Sequence, residues 1–490
     1  MGDKSIKPAP WISYRNYFFD TQESRSIISN EKAHTFLLLE GEAASIFAKL
    51  TSGCSYGEFR EYAEEIGVSE ELEDFVAQLF QEGLLIIDDV YFIPGQAQND
   101  DLDTAYSGQA IKSDEYEEFI RDMNKWAWSK GLFLSAHWDM TYNCNENCIH
   151  CYNRCFNTNQ NNSKELTTEE AFVMIDDMFE AGVFILTLSG GEAALRQDYF
   201  DILGYARSKR MCVQLLSNGL IWDADFSKKV ASYWPNMVGI SIYSANPVLH
   251  DEVTRVPGSF EASVAALKYL KEAGIQTELR SVQLRETLKG YENTKKLAVE
   301  LGIKSVLAIS IMPALDGNLQ PVEQSANVFN ELVVLAATEG TPLSVKYIKN
   351  AFDESGKPKD MERSVCAAGK HSLHFDPTGN INPCVAIPIV MGNIKDVNLK
   401  KFWLDSLDLK YIRNIRLKDI EPCGTEAYCK YCMKVCPGSS FLEKGSFFTA
   451  PEVSCLEAKA RKMAAELLSQ GLSRDEICTT LDIPVEFGYI

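Results

Sequence analysis

The pattern of hydrophobic and polar positions changes twice along the chain, and its first part predicts a small mixed domain. Two short extended runs, YRNYFFD and HTFLLLEG, come first, and LLIIDDVYFI predicts a closing pair of strands. Between them, apolar residues recur at helical spacing in three segments: 42–50, 56–65 and 69–82. Residues 1–100 are therefore expected to form a winged-helix-like domain of strands and three helices.

In the middle of the chain, predicted strands and amphipathic helices alternate. Residues 101–130, an acidic linker followed by a helix from Asp114, lead into this region, which spans 131–345. Helical stretches such as TTEEAFVMIDDMFEAG separate six predicted strands: LFLSAHWDM, FILTLSGG, MCVQLLSNG, MVGISIYS, TELRSVQL and SVLAISIMP. This alternation predicts an α/β fold with a parallel sheet. A curled sheet of this kind is a partial (β/α)6 TIM barrel, with functional groups at the carboxyl ends of its strands.

Cysteines become frequent after the predicted barrel. Six fall between Cys366 and Cys436, and Cys455 lies beyond them. We expect residues 346–455 to form a separate cysteine-rich module. Residues 456–490 are expected to form a charged helix followed by a shorter one.

Composition narrows the classes of function. With 48 Lys plus Arg against 69 Asp plus Glu, the 490-residue chain carries a formal charge of -21, which repels phosphate backbones and anionic membranes. We therefore expect neither nucleic acid nor a membrane as a partner. The start, MGDKSIKPAPW, lacks the apolar core of a signal peptide, so a cytoplasmic location is expected. Fourteen cysteines in a reducing compartment favour metal binding over disulfides, with zinc and iron–sulfur as candidates.

The first cysteine motif is CxxxCxxC, formed by Cys144, Cys148 and Cys151 in the loop after the first predicted barrel strand. Three thiolates in one short loop can bind three irons of a cubane and leave the fourth iron open to a substrate or cofactor. A structural zinc site is the alternative, with His150 or Cys155 as its fourth ligand.

This loop resembles the signature of the radical S-adenosylmethionine (SAM) superfamily, and the resemblance covers residues 131–345. LTLSGGEAAL, after the second strand, looks like the family's GGE motif, although Ala193 stands where the family usually has proline. The resemblance implies that Gly190 and Gly191 let backbone approach the methionine part of SAM. It also implies that Glu192 accepts a hydrogen bond from the ammonium group of SAM.

Three further strand ends carry polar side chains that the resemblance places near SAM or the substrate. Ser217 and Asn218 belong to a Ser-Asn-Gly turn after the third strand, and Ser241 and Tyr243 follow the fourth. Arg280, on the fifth strand, is expected to meet the SAM carboxylate. The alternatives are a plain turn, an ordinary strand residue and an arginine paired with a neighbouring acid.

The same resemblance implies the chemistry. One electron from the reduced cluster, delivered by a donor such as flavodoxin or ferredoxin, cleaves SAM into methionine and a 5′-deoxyadenosyl radical. That radical takes hydrogen from an unactivated C–H bond, while the protein orients the substrate and excludes water. The protein is therefore expected to be an oxidoreductase with SAM as its cofactor.

The C-terminal cysteines resemble the SPASM extension of radical SAM enzymes, and CAAGKHSLHFDPTGNINPC closely matches its opening hairpin. The resemblance implies two auxiliary [4Fe–4S] clusters, and hence three clusters in all. The later cysteines usually follow CxxCxxxxxCxxxC in the family, whereas this chain has CxxxxxCxxCxxxC. By analogy the ligands divide between a nearer and a farther cluster: Cys366, Cys384 and Cys436, then Cys423, Cys429, Cys432 and Cys455. One or two structural zinc ions are the alternative.

The N-terminal unit resembles, in size, order and position, the peptide-recognition domain of enzymes that modify ribosomally made peptides. Such a domain binds the leader of a precursor peptide as an added strand on its sheet. The whole arrangement is similar to peptide maturases that form sactipeptide and ranthipeptide thioethers, which implies a precursor peptide as partner and a thioether as product. Carbon–carbon crosslinking and epimerisation stay open. Sulfatase-maturing relatives typically have Asp after the second SPASM cysteine, and Val385 at that position disfavours formylglycine formation.

Two functions of another class are the remaining alternatives. The tail stretch QGLSRDEICTTLDIP resembles half of a helix-turn-helix, which is typical of a DNA-binding regulator, but a charge of -21 disfavours this function. An iron–sulfur electron carrier would hold clusters without cleaving SAM.

Overall fold

The fold is described from a computed structural model. Ten segments and one single residue are described: 5–18, 24–52, 54–68, 72–91, 122–153, 164–325, 328–339, 341, 343–348, 360–432 and 435–488. The predicted linker, the first part of the helix predicted from Asp114, and Cys155 lie outside these residues. Within them, no helix is both long and apolar enough to span a membrane.

The N-terminal domain contains two antiparallel sheets and three helices. Its elements are β1 (Ile6–Pro8), β2 (Ile12–Tyr17), β3 (Arg25–Asn30), β4 (Thr35–Glu40), α1 (Gly41–Thr51), α2 (Tyr56–Glu65), α3 (Leu72–Gln81), β5 (Leu85–Ile87) and β6 (Val90–Tyr91). The sheet orders are β2-β3-β4 and β1-β5-β6. Helix α2 begins at a capping box between Ser55 and Glu58, and buried Phe47, Phe59 and Leu79 fill the core. The three helices and the closing strand pair were predicted, whereas β1 and β3 were not.

A parallel sheet of six strands forms the middle of the molecule and confirms the predicted α/β fold class. Its strands are β7 (Ser135–Asp139), β8 (Ile185–Ser189), β9 (Cys212–Ser217), β10 (Met237–Ser241), β11 (Thr277–Val282) and β12 (Lys304–Ala308). They stand side by side in chain order, and each neighbouring pair is parallel. The carboxyl ends of all six strands therefore meet at one edge, where their loops can build a common site.

The helices of the barrel region precede β7, connect the barrel strands or follow β12. They are α4 (122–129), α5 (Thr168–Ala181), α6 (Tyr199–Ser208), α7 (Ala224–Ala231), α8 (Pro247–Thr254), α9 (Ser259–Glu272), α10 (Tyr291–Leu301), α11 (Gln320–Glu323) and α12 (Phe329–Ala337). Helix α5 begins at a capping box between Thr167 and Glu170 and ends at Gly182, which adopts a left-handed conformation. Buried Trp138 and Leu188 belong to the hydrophobic core that α5, α6, α7, α9 and α10 share with the sheet.

The C-terminal module extends the barrel sheet. Strand β13 (Ser372–Phe375) pairs in parallel with β7, and β14 (Asn380–Asn382) and β15 (Gly392–Asn393) continue the sheet to nine strands. The later helices are α13 (Leu399–Asp405), α14 (Leu407–Arg413), α15 (Pro437–Lys444), α16 (Glu452–Ser469) and α17 (Arg474–Thr480). Single 3₁₀ turns lie at Ala193–Leu195, Thr287–Gly290, Val345–Ile348, Leu417–Asp419 and Cys429–Tyr431.

The two tail helices pack against the barrel. Ala460 and Ala464 of α16, together with Ile477 and Cys478 of α17, are buried in one cluster with Leu332 and its neighbours on α12. The half helix-turn-helix seen in the sequence is therefore a packing element whose apolar face is covered.

A buried polar interface holds the N-terminal domain on the barrel. Glu31, in the loop after β3, accepts hydrogen bonds from Ser13 at 2.5 Å and Asn236 at 2.9 Å, and its carboxylate lies 3.8 Å from the Arg207 guanidinium of α6. The Tyr17 hydroxyl donates to the Gly182 carbonyl at 2.8 Å. This interface involves β2 and β3, while β4 forms the other edge of its sheet.

Candidate functional site

A cavity of about 390 Å³ lies at the carboxyl ends of the barrel strands, under the loop that follows β7. Most of the residues singled out in the sequence line this one space: Cys144, Cys148, Cys151, Gly190, Gly191, Ser217, Asn218, Ser241, Tyr243 and Arg280. They come from five different strand ends, so the fold brings together residues that are up to 136 positions apart. Glu192 lies behind the lining and is buried.

Two of the three thiols of the β7 loop, those of Cys144 and Cys148, resist ionisation unless a cation binds them. Burial, together with nearby carboxylates and Cys151, raises the pKa of Cys144 to about 12, and burial also raises the pKa of Cys148 well above its usual range. Thiols in such surroundings ionise when a metal compensates their charge. Three soft sulfur donors facing an open cavity fit an iron–sulfur cluster with one iron left for a further ligand.

The GGE turn is held against the cysteine loop. Gly191 and Glu192 donate their backbone N–H groups to the carbonyls of Thr141 and Asn143, at 2.7 and 2.8 Å. A Cβ at Gly190 would overlap the Thr141 carbonyl oxygen, and one at Gly191 would overlap that of Asn143. The two glycines are therefore required by this backbone contact, a reason that differs from the predicted approach of SAM.

Glu192 organises the neighbouring turn. Its carboxylate accepts from the Ser217 hydroxyl and from the Asn218 backbone N–H, both at 2.8 Å, and from the Ala194 N–H at 3.2 Å. The Asn218 side chain in turn donates to Asn145 at 2.7 Å, in the cysteine loop. Burial raises the pKa of Glu192. In this arrangement Glu192 joins the second and third strand ends to the cysteine loop, and its contact with an ammonium group stays a prediction.

The opposite wall of the cavity is formed by β10 and β11. Arg280 lines the cavity and approaches Glu278 at 3.6 Å, so the pairing with a neighbouring acid is present, while its contact with the SAM carboxylate stays a prediction. A Cβ at Gly239 would overlap the Arg280 side chain. Gly239 is thus a positioning residue that sequence reasoning missed, although a glycine inside a strand signals a close approach.

Other residues of the cysteine loop also line the cavity. The ring of His150 meets that of Tyr243 edge-on at 4.6 Å, and burial lowers the pKa of His150 to about 4. Burial raises the pKa of Glu146 to about 7, and Glu146 accepts from the Cys148 thiol at 3.1 Å. Neither side chain was among the predicted SAM contacts, and their position within the cysteine motif was the available signal.

The C-terminal cysteines fall into two groups by mutual proximity. Burial and then the neighbouring thiols raise the pKa of Cys384 to about 11, and the neighbours concerned are Cys436 and Cys366. Burial and a second set of thiols raise the pKa of Cys423 to about 12, and that set is Cys432, Cys429 and Cys455. Among the described residues, one group has three thiols and the other has four. The assignment of each group to a cluster stays a prediction.

Tyr152 lies between the two cysteine regions. Its side chain lines the cavity and is partly exposed; desolvation, and then nearby charges that include Cys151 and Cys384, raise its pKa. Its backbone carbonyl accepts from the Leu315 N–H at 3.0 Å, which fixes the segment after the cysteine motif. The cavity therefore has the first thiol group on one side and approaches the nearer C-terminal group on another.

A histidine–carboxylate group that the sequence did not reveal joins β7 to β13. Asp139, fully buried, lies 3.2 Å from Nε2 of His137 and 3.1 Å from Nε2 of His374, and Asn153 of the cavity wall donates to it at 3.4 Å. Burial opposes ionisation, but the two histidines together hold the pKa of Asp139 well below its usual range. These three side chains have the residue types of a metal site. Their distances also satisfy a hydrogen-bonded contact between the C-terminal module and the barrel.

Replacing His374 by Ala is expected to lower the free energy of unfolding by about 1.5–3 kcal/mol, because a buried carboxylate loses a hydrogen-bond partner. Urea denaturation followed by tryptophan fluorescence would measure this loss. His371→Ala is the matched control, since His371 precedes the same strand and its Nδ1 has no hydrogen-bond partner. Equal effects of the two substitutions would show that the Asp139 contact contributes nothing.

Comparison with known protein families identifies two regions. Residues 138–298 match the radical SAM superfamily, and residues 366–434 match the SPASM iron–sulfur cluster-binding domain. The first match contains the CxxxCxxC loop and the GGE turn, and the second contains five of the seven C-terminal cysteines discussed above.

Related proteins cover most of the same span. An AdoMet-dependent heme synthase of Methanosarcina barkeri is 27% identical over 61% of this chain and 89% of its own length. The mycofactocin maturase MftC of Mycolicibacterium smegmatis is 27% identical over 65% of this chain and 82% of its own length.

Solved structures extend the similarity to the N-terminal domain. Streptococcus suis SuiB bound to its precursor peptide SuiA aligns over 92% of this chain and 99% of its own, with a TM-score of 0.54 and 14% identity. AnSMEcpe with bound AdoMet aligns over 71% of this chain and 99% of its own, with a TM-score of 0.51 and 14% identity. At these identities the likeness concerns the fold.

Radical SAM enzymes use SAM with a [4Fe–4S] cluster, and SPASM domains hold auxiliary clusters, which agrees with the cofactors expected from the sequence. The thiol groups described above have the number and the chemistry that these cofactors require. The chain therefore contains a radical SAM domain at residues 138–298, followed by a SPASM domain at residues 366–434.

Proposed function

We propose that this protein is a peptide maturase that forms thioether links in a ribosomally made precursor peptide. The observation that carries the proposal is the fixed placement of three parts on one barrel: the cavity with its three thiols, the C-terminal thiol groups, and the N-terminal domain. SuiB, whose structure contains its precursor peptide, has the same arrangement of fold over 92% of this chain. The similarity to the maturase MftC supports a peptide substrate as well.

The cavity supplies the radical site of the proposal. Cys144, Cys148 and Cys151 would hold the cluster, and the strand ends around Ser241 and Arg280 would hold SAM. When bound there, SAM and the reduced cluster supply a radical that removes a hydrogen atom from the peptide. Tyr243 and Asn153, both buried, form part of the wall that would position the bound groups.

The N-terminal domain supplies the peptide-binding site. Strand β4 forms an edge of its three-stranded sheet, and an extended leader peptide can pair with such an edge through backbone hydrogen bonds. Because the buried Glu31 and Arg207 interface fixes this domain on the barrel, a bound leader would hold the rest of the peptide at high effective concentration near the cavity.

The nearer C-terminal thiol group supplies a reason to favour a thioether. Among the described residues it offers three thiols, Cys366, Cys384 and Cys436, which leaves one position for a peptide thiolate. Forming the thioether breaks one C–H and one S–H bond and makes one C–S bond. The hydrogen atom goes to the SAM-derived radical, the proton to solvent, and the remaining electron to an auxiliary cluster.

The test is to express the protein with candidate precursors, that is, any short cysteine-containing peptides encoded beside its gene, and to examine each peptide by mass spectrometry. A thioether removes two hydrogen atoms and one alkylatable thiol for each link. Removing the leader from the peptide is expected to suppress this product while 5′-deoxyadenosine still forms, because SAM cleavage does not need the β4 edge.

Each alternative gives a different result in that experiment. Carbon–carbon crosslinking removes two hydrogen atoms but keeps every thiol, and epimerisation leaves the mass unchanged but introduces deuterium from heavy water. An unmodified peptide, together with conversion of a porphyrin, would refute the peptide proposal and favour a reaction like that of the heme synthase relatives.

A further inference from the structure

An aromatic and aliphatic patch is exposed on the SPASM module. Leu407 and Tyr411 lie one turn apart on α14 with 79% and 52% of their surfaces exposed, and the ring of Phe448 meets that of Tyr411 edge-on at 6.5 Å. Leu404, at the end of α13, is 55% exposed. Contiguous apolar surface of this kind marks an interaction site more often than isolated exposed side chains do.

The surroundings of this patch have the opposite charge to the rest of the protein. Residues 395–418 contain seven Lys or Arg and three Asp or Glu, a net charge of +4, whereas the whole chain carries -21. Lys400, Lys401 and Lys410 are all exposed on the helices that carry the apolar residues. A partner that selects this face by charge is therefore acidic, because the rest of the surface repels it.

The patch lies beside the group of four C-terminal thiols. The Phe448 carbonyl accepts a hydrogen bond from the backbone N–H of Glu421 at 2.8 Å. Cys423 lies two residues after Glu421, in a turn closed by the hydrogen bond from its N–H to the Ile420 carbonyl at 2.8 Å. Cys423, Cys432 and Cys455 are themselves only partly buried. A redox group bound at these thiols would therefore be close to the surface at this face.

We propose that the face formed by Leu404, Leu407, Tyr411 and Phe448, with Lys400, Lys401 and Lys410 around it, is the docking site of a small acidic electron-carrier protein. The reduced carrier loses one electron there, and the outer iron–sulfur cluster of the SPASM module gains it. Apolar contact at the centre holds the complex, while the lysines steer the carrier to this face. The inference rests on the cluster content of the proposed function and does not depend on a peptide substrate.

The structure offers a route inward from this face. Both C-terminal thiol groups pack against the same hydrophobic cluster, which includes Cys384 of the inner group and Cys423 of the outer one. Tyr152, which lines the cavity beside Cys151, is an electrostatic neighbour of Cys384. An electron that enters at the outer thiols therefore has intermediate redox sites on its way to the cavity.

The test compares two triple variants of the reconstituted holoenzyme that change the net charge equally. Lys400→Glu/Lys401→Glu/Lys410→Glu alters the proposed face, and Lys228→Glu/Lys268→Glu/Lys296→Glu alters exposed lysines on α7, α9 and α10. Each protein is mixed anaerobically with reduced flavodoxin, without SAM or peptide, and the bleaching of cluster absorption is followed. Binding of oxidised flavodoxin is measured separately by calorimetry.

At low salt, the first variant is expected to be reduced at least about tenfold more slowly than the unaltered protein and to bind flavodoxin more weakly, with the difference shrinking at high salt. The second variant is expected to behave like the unaltered protein, and dithionite is expected to reduce all three at the same rate. Leu407→Ser should weaken the binding of flavodoxin by a similar factor at low and at high salt, because it removes an apolar contact and no charge.

Equal rates and affinities for the two triple variants would overturn the proposal. So would a stable dimer of the unaltered protein that Leu407→Ser dissociates, because the patch would then be covered by a second copy. If flavodoxin reduces the clusters of the unaltered protein normally but that protein modifies no peptide, the result would count against the peptide function. It would not contradict the proposed docking site.

Discussion

Replacing Cys144, Cys148 or Cys151 by Ala is expected to abolish SAM cleavage and to remove about four of about twelve irons per chain. Each of these thiols lines the same cavity; Cys148 is buried, and Cys144 and Cys151 are partly buried. A cluster held by two thiols would not keep one iron open and three fixed. Anaerobic reconstitution, iron analysis and chromatography of 5′-deoxyadenosine would measure both losses.

Two further substitutions separate this site from the rest of the protein. Cys54→Ala is the matched control, since Cys54 is half-buried in the N-terminal domain and donates to the Lys49 carbonyl of the preceding helix, α1, at 3.3 Å. It should keep full iron content and cleavage. Cys432→Ala should lose about one cluster's iron and the peptide product while some cleavage remains. SAM cleavage by any of the three first-loop variants would contradict the assignment of the radical site.

The parts of the fold that could be predicted are those encoded by neighbouring residues. Strand β8 lies between helices α5 and α6 along the chain, in the alternating pattern that predicts a parallel sheet. The three cysteines of the CxxxCxxC motif lie in one short loop after β7. Parallel strands in chain order then bring Ser217, Ser241 and Arg280 to the same edge without any further information. For this reason the order of the predicted strands, with the turn after each one, was enough to predict that the site lies at the carboxyl edge of the sheet.

Strand β3 shows why other parts could not be predicted. Its sequence, RSIISN, includes Ser26, Ser29 and Asn30, which are polar and nevertheless buried. These side chains are buried because they form hydrogen bonds within the domain and to the barrel, for example from Asn236 to Ser29 at 3.1 Å. Hydrophobic periodicity does not detect a strand whose buried positions are filled by paired polar groups.

Contacts between distant segments were equally invisible. His374 and Asp139 are 235 positions apart and meet only because β13 adds to the barrel sheet beside β7. A hairpin was expected for the SPASM opening, but nothing in its sequence indicates that it pairs with the first barrel strand. The same holds for Gly239, whose need to be glycine follows from the path of the Arg280 side chain on the next strand.

Replacing Glu31 by Ala is expected to destabilise the docked N-terminal domain by about 3–5 kcal/mol, because Arg207 would remain as a buried charge without its carboxylate. The Ser13 and Asn236 donors would also lose their acceptor. Trp11 of the N-terminal domain and Trp234 of the barrel meet edge-on at 6.0 Å, so tryptophan fluorescence during urea denaturation reports directly on this interface.

The double variant Glu31→Ala/Arg207→Met decides whether the charges act as a pair. Met fills much of the space of Arg207 without leaving a charge, so the double variant should be destabilised by less than the sum of the two single substitutions. Asp89→Ala is the control, since its ion pair with Lys7 at 2.8 Å is exposed and screened by solvent, so its loss should leave the free energy of unfolding nearly unchanged. Strictly additive effects would mean that burial of polar groups, and not the charge pair, holds the domain.

If the interface loosens as expected, leader binding should persist while peptide modification falls, because the leader would then be held by a domain that no longer directs it to the cavity.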